Sequence, residues 1–161
     1  KGWTVAKYLL GHERMGSGSV GASRRELAAL KDLATREMKN GQPLINDARF
    51  RDKLTRVEVE LDALELTSMR FLDKMRRTGQ PPGADVSMLK IRGTEVQQAI
   101  TELMMQAVGP MAAPIKAVDG GQIDHVTSRL APRYFNYRKA SIYAGSNEIQ
   151  RNIIAKMTLG L

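Results

Sequence analysis

An all-α fold is predicted by three features of this 161-residue sequence. Apolar residues recur at three- and four-residue intervals over long stretches, and no segment shows convincing period-two alternation. The apolar fraction of 42 % contains only 5 % aromatics but nine Met, a composition suited to aliphatic helix-on-helix packing. Gly and Pro gather between the periodic stretches, as in "KNGQP" and "TGQPPGAD". The length suffices for one domain with a core of its own.

A short helix is predicted over residues 3 to 11, with Val5, Tyr8 and Leu9 on one side. A long one runs from about 13 to 39, carries Leu27, Leu30 and Ala34 at helical spacing, and stops at "KNGQP". Residues 48 to 78 hold the clearest rhythm: Leu54, Val57, Leu61, Leu64, Ser68, Leu72 and Met75. Asp85 caps the next helix, which reaches about Val108 and whose apolar face is Leu89, Val96, Ile100, Leu103 and Ala107. "GPMAAPIKAVDGGQ" (109 to 122) reads as a loop, long enough to be functional. Helices from about 124 to 141 and from 146 complete the set. In the last, Ser146 is the N-cap, Glu148 sets a negative charge in the first turn, and Ile149, Ile153, Ile154 and Met157 form the apolar stripe.

Composition narrows the function. There are no cysteines, which removes disulfides and thiolate metal sites, and His12 and His125 are too few for a metal cluster. No apolar run has the length of a membrane span. The net charge of +8 favours an anionic partner: nucleic acid, an acidic protein surface or a phosphate-bearing small molecule. The basic residues are spread along the chain, and a solvated helix face accounts for each small group of them.

Three motifs stand out. "GSGSVG" (16 to 21) has the form G-x-G-x-x-G, but a dinucleotide fingerprint follows a strand and this one follows "LLGHER". Its physical content is low bulk: from Gly16 to Ser23 the side chains are almost all small, at up to about 1 kcal/mol of helix propensity per Gly. A packing groove and a ligand pocket both fit that pattern. Glu13, between His12 and Arg14, reads either as a carboxylate paired locally or as one facing the small-residue stretch, where burial raises its pKa and makes it a general base. "RYFNYRK" (133 to 139) interleaves aromatic and basic residues, yet helical spacing puts Tyr134, Tyr137 and Arg138 on one face to pack and pair.

The two ends of the chain carry a resemblance. "GWTVAKYLLGHER" followed by a long helix, "DVSMLKIRGTEVQQAITELMMQAVG" in the middle, and "ASIYAGSNEIQRNIIAKMTLG" at the end resemble the C-terminal helical domain of acyl-CoA dehydrogenases over essentially the whole chain. The opening "GW-x-x-A-K-x-L-L" is closest to the bacterial pimeloyl-CoA-type large-subunit branch. The resemblance implies a four-helix up-and-down bundle with a short extra helix at each end. It also implies an N-terminal helical domain and a middle β-domain outside residues 1 to 161. The implied reaction is FAD-dependent α,β-dehydrogenation of an acyl-CoA, with electrons passed to an acceptor such as an electron-transfer flavoprotein. A tetrameric homo- or hetero-oligomer in the bacterial cytoplasm is implied too, with no nucleic-acid partner.

Site residues follow from the same resemblance. Many members carry the catalytic glutamate directly after the Tyr of a Y-E-G-T loop, where this chain has Ala144. A minority carry it in an E-R pair at the start of the domain's first long helix and lose the loop glutamate. Glu13-Arg14 matches that pair, which makes Glu13 the expected base. Arg14, Tyr143 and Gly145 fall at the acyl-CoA site, and Ser146 and Glu148 at positions that contact FAD. The backbone N–H of Ala144 falls where relatives bond the thioester oxygen. Two family elements that act across the subunit interface are missing: "REMKNGQPL" replaces R-x-x-F-G, leaving Arg36 or Lys39 as stand-ins, and "AVGPMAAP" replaces G-G-x-G. Competing readings are a non-catalytic partner subunit and a basic helical nucleic-acid module.

Overall fold

The computed structural model describes the chain except residues 1, 17, 81–82 and 114–126, and except the side chains of 7, 10–15 and 127 within helices. Its helices are α1 (Gly2–Gly16), α2 (Val20–Arg36), α3 (Ala48–Thr78), α4 (Ser87–Val108), α5 (Leu130–Arg138) and α6 (Asn147–Ile154). Among the described residues the one sheet is an antiparallel pair, β1 (Met38–Lys39) and β2 (Gln42–Pro43), with Met38 opposite Pro43. The all-α class is the predicted one.

Local differences from the sequence reading have local causes. The helix expected from 13 to 39 is two helices. Ser19 takes φ +46° and its N–H bonds Gly16 O at 3.2 Å, which closes α1 before α2 begins. Gly16, Gly18 and Ser19 are poor helix formers, so the break falls where propensity is weakest. "KNGQP" is a hairpin turn rather than a bare helix stop: Asn40 and Gly41 both have positive φ, +54° and +78°, the geometry that Asn-Gly favours. Asp85 lies inside a 3₁₀ turn, Ala84–Val86, that runs directly into α4; it sits two residues before the helix start and faces Lys74 at 3.6 Å, so it is not the cap expected. The helix expected over 124 to 141 narrows to α5 between 3₁₀ turns Thr127–Arg129 and Lys139–Ser141, and residues 124–126 lie outside the described ones. In the expected loop, Gly109–Ala112 form a 3₁₀ turn and 114–122 lie outside.

The described residues divide into two compact units, with α3 and α4 each running through both. The second unit, Gly21–Val59 with Val96–Ala140, has an aliphatic core of Leu27, Leu30 and Ala34 from α2, Leu54 and Val57 from α3, and Ile100 and Leu103 from α4. Each such side chain contributes about 1.5–3 kcal/mol on full burial. Ion pairs Lys31–Glu58 and Arg133–Glu26 lie in the same unit.

The first unit comprises Lys1–Val20, Glu60–Glu95 and Ser141–Leu161. Leu61, Leu64, Val86 and Leu89 are buried there. The predicted stripe of α3 fades beyond Leu64, and Leu72 is 47 % exposed. On α1 the expected apolar side is exposed, Val5, Tyr8 and Leu9 each by about two thirds. This unit also buries Ser87, Lys90, Thr94, Asn147 and Gln150, and that polar content lies directly under the segment with the most specific sequence signal.

Candidate active site

The stretch from Ile142 to Glu148 leaves a 3₁₀ turn and enters α6. Ser146 (φ −58°, ψ 158°) is the N-cap, and its Oγ accepts the Ile149 N–H at 3.3 Å, as the sequence predicts. Before it, Ala144 and Gly145 both adopt positive φ, +55° and +82°. A left-handed alanine costs about 1–2 kcal/mol, so the surrounding structure must hold it. Tyr143, Ala144 and Gly145 are exposed. Among the described residues nothing accepts a hydrogen bond from the Ala144 N–H.

Two sets of buried groups hold this turn from beneath. The Gln150 side chain donates through Nε2 to Ala144 O at 3.4 Å and Gly145 O at 3.5 Å. A Cβ on Gly145 would meet that Nε2 at 2.6 Å, so the bare glycine makes room for Gln150 below the turn. One residue past the cap, Asn147 Oδ1 accepts from Lys90 Nζ at 2.9 Å, and its Nδ2 donates to Thr94 Oγ1 at 3.2 Å. Both partners come from α4. Lys90 is 1 % exposed.

Burial lowers the Lys90 pKa below its ordinary 10.5, and the Glu148 carboxylate nearby opposes that shift. Glu148 is exposed and its own pKa is lowered, first by its backbone N–H, then by the Ser146 hydroxyl, with Arg151 and Lys90 adding charge. It is therefore ionised at neutral pH. Because the folded chain holds the Lys90 proton less firmly than the unfolded chain, the unfolded state binds more protons between the lowered value and 10.5. Stability contributed by this group accordingly rises with pH through that window. Urea denaturation of the protein and of Lys90→Met between neutral pH and pH ~10 checks it: the wild type gains on the variant as pH rises. A constant difference contradicts the burial effect.

The structure brings Tyr143, Ala144, Gly145, Ser146 and Glu148 together at one helix start. Glu13 and Arg14 fall in the last turn of α1, and their side chains lie outside the described ones. Of the stand-ins for the missing arginine, Arg36 pairs with Asp32 at 2.6 Å and Lys39 with Asp47 at 2.8 Å. The Arg36–Asp32 pair is exposed and worth about 0–1 kcal/mol, whereas Asp47 is half-buried beside Lys39. Sequence reasoning gave no role to Lys90, Thr94, Asn147 or Gln150. A signal existed: on α4, Ser87, Lys90, Thr94, Gln97 and Thr101 repeat at intervals of three and four, and all are buried. The apolar face of the same helix obscured this second, polar stripe.

The chain belongs to the acyl-CoA dehydrogenase family: the model of that family's C-terminal domain matches residues 1–159. The acyl-CoA dehydrogenase IpdE1 of Mycobacterium tuberculosis is 34 % identical over 163 aligned residues, covering 99 % of this chain and 38 % of that protein. The chain thus spans under two fifths of the length of that curated relative. Among solved structures, the ChsE4–ChsE5 complex of Mycobacterium tuberculosis has a TM-score of 0.77 at 26 % identity, covering 100 % of this chain and 41 % of that one. Butyryl-CoA dehydrogenase of Megasphaera elsdenii shares the fold, with a TM-score of 0.75 at 19 % identity, covering 95 % and 37 %. Among the described residues no helix is long and apolar enough to cross a membrane, and no group of His, Asp or Glu is arranged to hold a metal ion.

Proposed function

We propose that this chain is the C-terminal helical domain of an FAD-dependent acyl-CoA dehydrogenase, completed by an N-terminal helical and a middle β-domain, and that it contributes the base and the oxyanion donor. The observation that carries this is the Ala144 N–H: a backbone donor on an exposed, left-handed turn whose carbonyls Gln150 holds, with no acceptor among the described residues. Glu13 accepts the α-proton of the acyl thioester on its carboxylate. The Ala144 N–H bonds the thioester oxygen, where negative charge builds as that proton leaves. A single aimed donor of this kind is worth about 3 kcal/mol in comparable sites. Arg14, Tyr143 and Gly145 border the acyl-CoA. The net charge of +8 suits the phosphates of CoA and FAD.

The described residues fit part of FAD. Glu148 stays ionised beside Ser146, so this pair suits a hydroxyl or N–H group and repels phosphate. It would hold the ribityl or ring portion, with the diphosphate neutralised by cations elsewhere. FAD, when bound, supplies the acceptor for the β-hydrogen as hydride. The missing arginine and glycine-loop elements favour a hetero-oligomer in which another subunit provides them, working in the bacterial cytoplasm with a flavoprotein as electron acceptor.

The test is flavin content and acyl-CoA-dependent flavin bleaching of the whole protein, alone and with its partner subunit. Bound flavin that bleaches with at least one acyl-CoA among short, long, dicarboxylic and ring-bearing chains supports the reading. Absence of flavin under both conditions overturns it and leaves the non-catalytic partner-subunit role.

A further inference from the structure

The largest unexplained feature of the first unit is its buried ammonium. Lys90 is 1 % exposed, and the hydrogen bond shown for it is the one to Asn147 Oδ1 at 2.9 Å. A Met of similar length would fill the same space and need no partner, so packing alone does not account for a lysine. Its effect is on geometry. Asn147 is the first residue of α6, directly after the cap, and it is tied to α4 twice over. Lys90 Nζ donates to its Oδ1, and its own Nδ2 donates to Thr94 Oγ1 at 3.2 Å. Thr94 is in turn fixed by donating to Ile91 O at 2.9 Å.

The other end of the turn is held by Gln150, through Ala144 O and Gly145 O. Gln150 is 3 % exposed, and its Oε1 has no partner among the described residues. Its Nε2 donates to the two carbonyls. Between these anchors stand two consecutive positive-φ residues, one of them an alanine. Without the anchors, an exposed turn of this kind relaxes toward extended or right-handed backbone.

We propose that Lys90 is a positioning residue: its ammonium, acting through Asn147 and together with Gln150, locks the Ala144–Gly145 turn in its exposed, left-handed conformation. The catalytic meaning of this lock rests on the function proposed above, whereas the lock itself does not. Lys90 touches neither substrate nor cofactor in this scheme.

The experiment is amide hydrogen exchange on the whole protein, followed over residues 141 to 152 and over α2, for Lys90→Met, Asn147→Ala and Asn147→Asp. The Ile149 and Gln150 amides report the lock, because they bond Ser146 Oγ and Ser146 O. Lys90→Met and Asn147→Ala are expected to speed their exchange about tenfold or more while α2 is unchanged. Asn147→Asp keeps an acceptor for the ammonium and is expected to stay within about twofold of wild type. Unchanged exchange in Lys90→Met, or equal acceleration in α2, overturns the lock. If Lys90→Met does not fold, the contrast between Asn147→Ala and Asn147→Asp decides in the same way. Where the wild type turns over an acyl-CoA, Lys90→Met should lower kcat about tenfold or more with KM within about threefold. An unchanged kcat overturns the positioning role. A wild type without turnover refutes the proposed function, and the exchange data still decide the lock.

Discussion

On the proposed function, Glu13→Gln in the whole protein is expected to lower dehydrogenation by roughly 10²–10⁴-fold while leaving flavin bound. Gln keeps the size and the hydrogen-bonding reach of Glu but cannot accept a proton at neutral pH. The family resemblance puts the commoner base position at Ala144, whose methyl has no basic atom, so no carboxylate at that position takes over. Flavin content separates the chemical loss from a folding loss, and steady-state rates with the preferred acyl-CoA measure it. Normal turnover by Glu13→Gln refutes the base assignment. Ala144→Glu offers a complementary reading on the Glu13→Gln background: it restores a carboxylate at the commoner position, at the expense of ordering a longer side chain on a left-handed residue.

The second large effect concerns stability. Gly93→Ala is expected to destabilise the protein by about 2 kcal/mol or more, although Gly→Ala within an exposed helix gains about 1 kcal/mol. A Cβ on Gly93 would stand 2.6 Å from Gly18 Cα and 2.7 Å from Gly18 O. Those neighbours are backbone atoms, which have no rotamer to turn away, so the turn between α1 and α2 has to move off α4. Gly18→Ala provides the contrast, since its nearest neighbour, Leu89 O, lies at 3.6 Å, an ordinary contact. It is expected to change stability by no more than about 0.5 kcal/mol. Urea denaturation midpoints of the two variants test the pair, and equal stability for Gly93→Ala and wild type shows that the close approach does not exist. The displaced turn directly follows the helix that carries Glu13, so on the proposed function a loss of dehydrogenation is expected alongside the loss of stability.

The Gly18–Gly93 approach also shows how the small residues of "GSGSVG" divide. Gly18 lies in a packing groove against α4, whereas among the described residues a Cβ on Gly16 meets nothing within 4 Å and one on Gly21 meets only Arg25 at 3.9 Å. The sequence shows that bulk is low from 16 to 23 but not which backbone comes near. That depends on Gly93, far along the chain. Similar reasoning applies to Gly145. Read alone, it suggests a loop approaching a ligand, yet its missing Cβ makes space for Gln150 beneath.

What the sequence determined by itself was whatever depends on near neighbours and repeated spacing. The 3–4 rhythm located α3 to the residue at both ends, because periodic burial of one helix face is written directly into the order of side chains. The Ser146 cap was legible because it bonds a backbone N–H three residues on. The Asn-Gly at 40–41 is equally local: its two positive φ values make a hairpin turn that also ends α2. Tertiary structure decided what depends on groups distant in sequence. Thr94 and Lys90 meet Asn147 across more than fifty residues, and the polar stripe of α4 looks like a solvated face until the fold buries it. The left-handed Ala144 belongs to the same category. Local preference opposes that conformation in an alanine, and only buried partners from beneath the turn outweigh it.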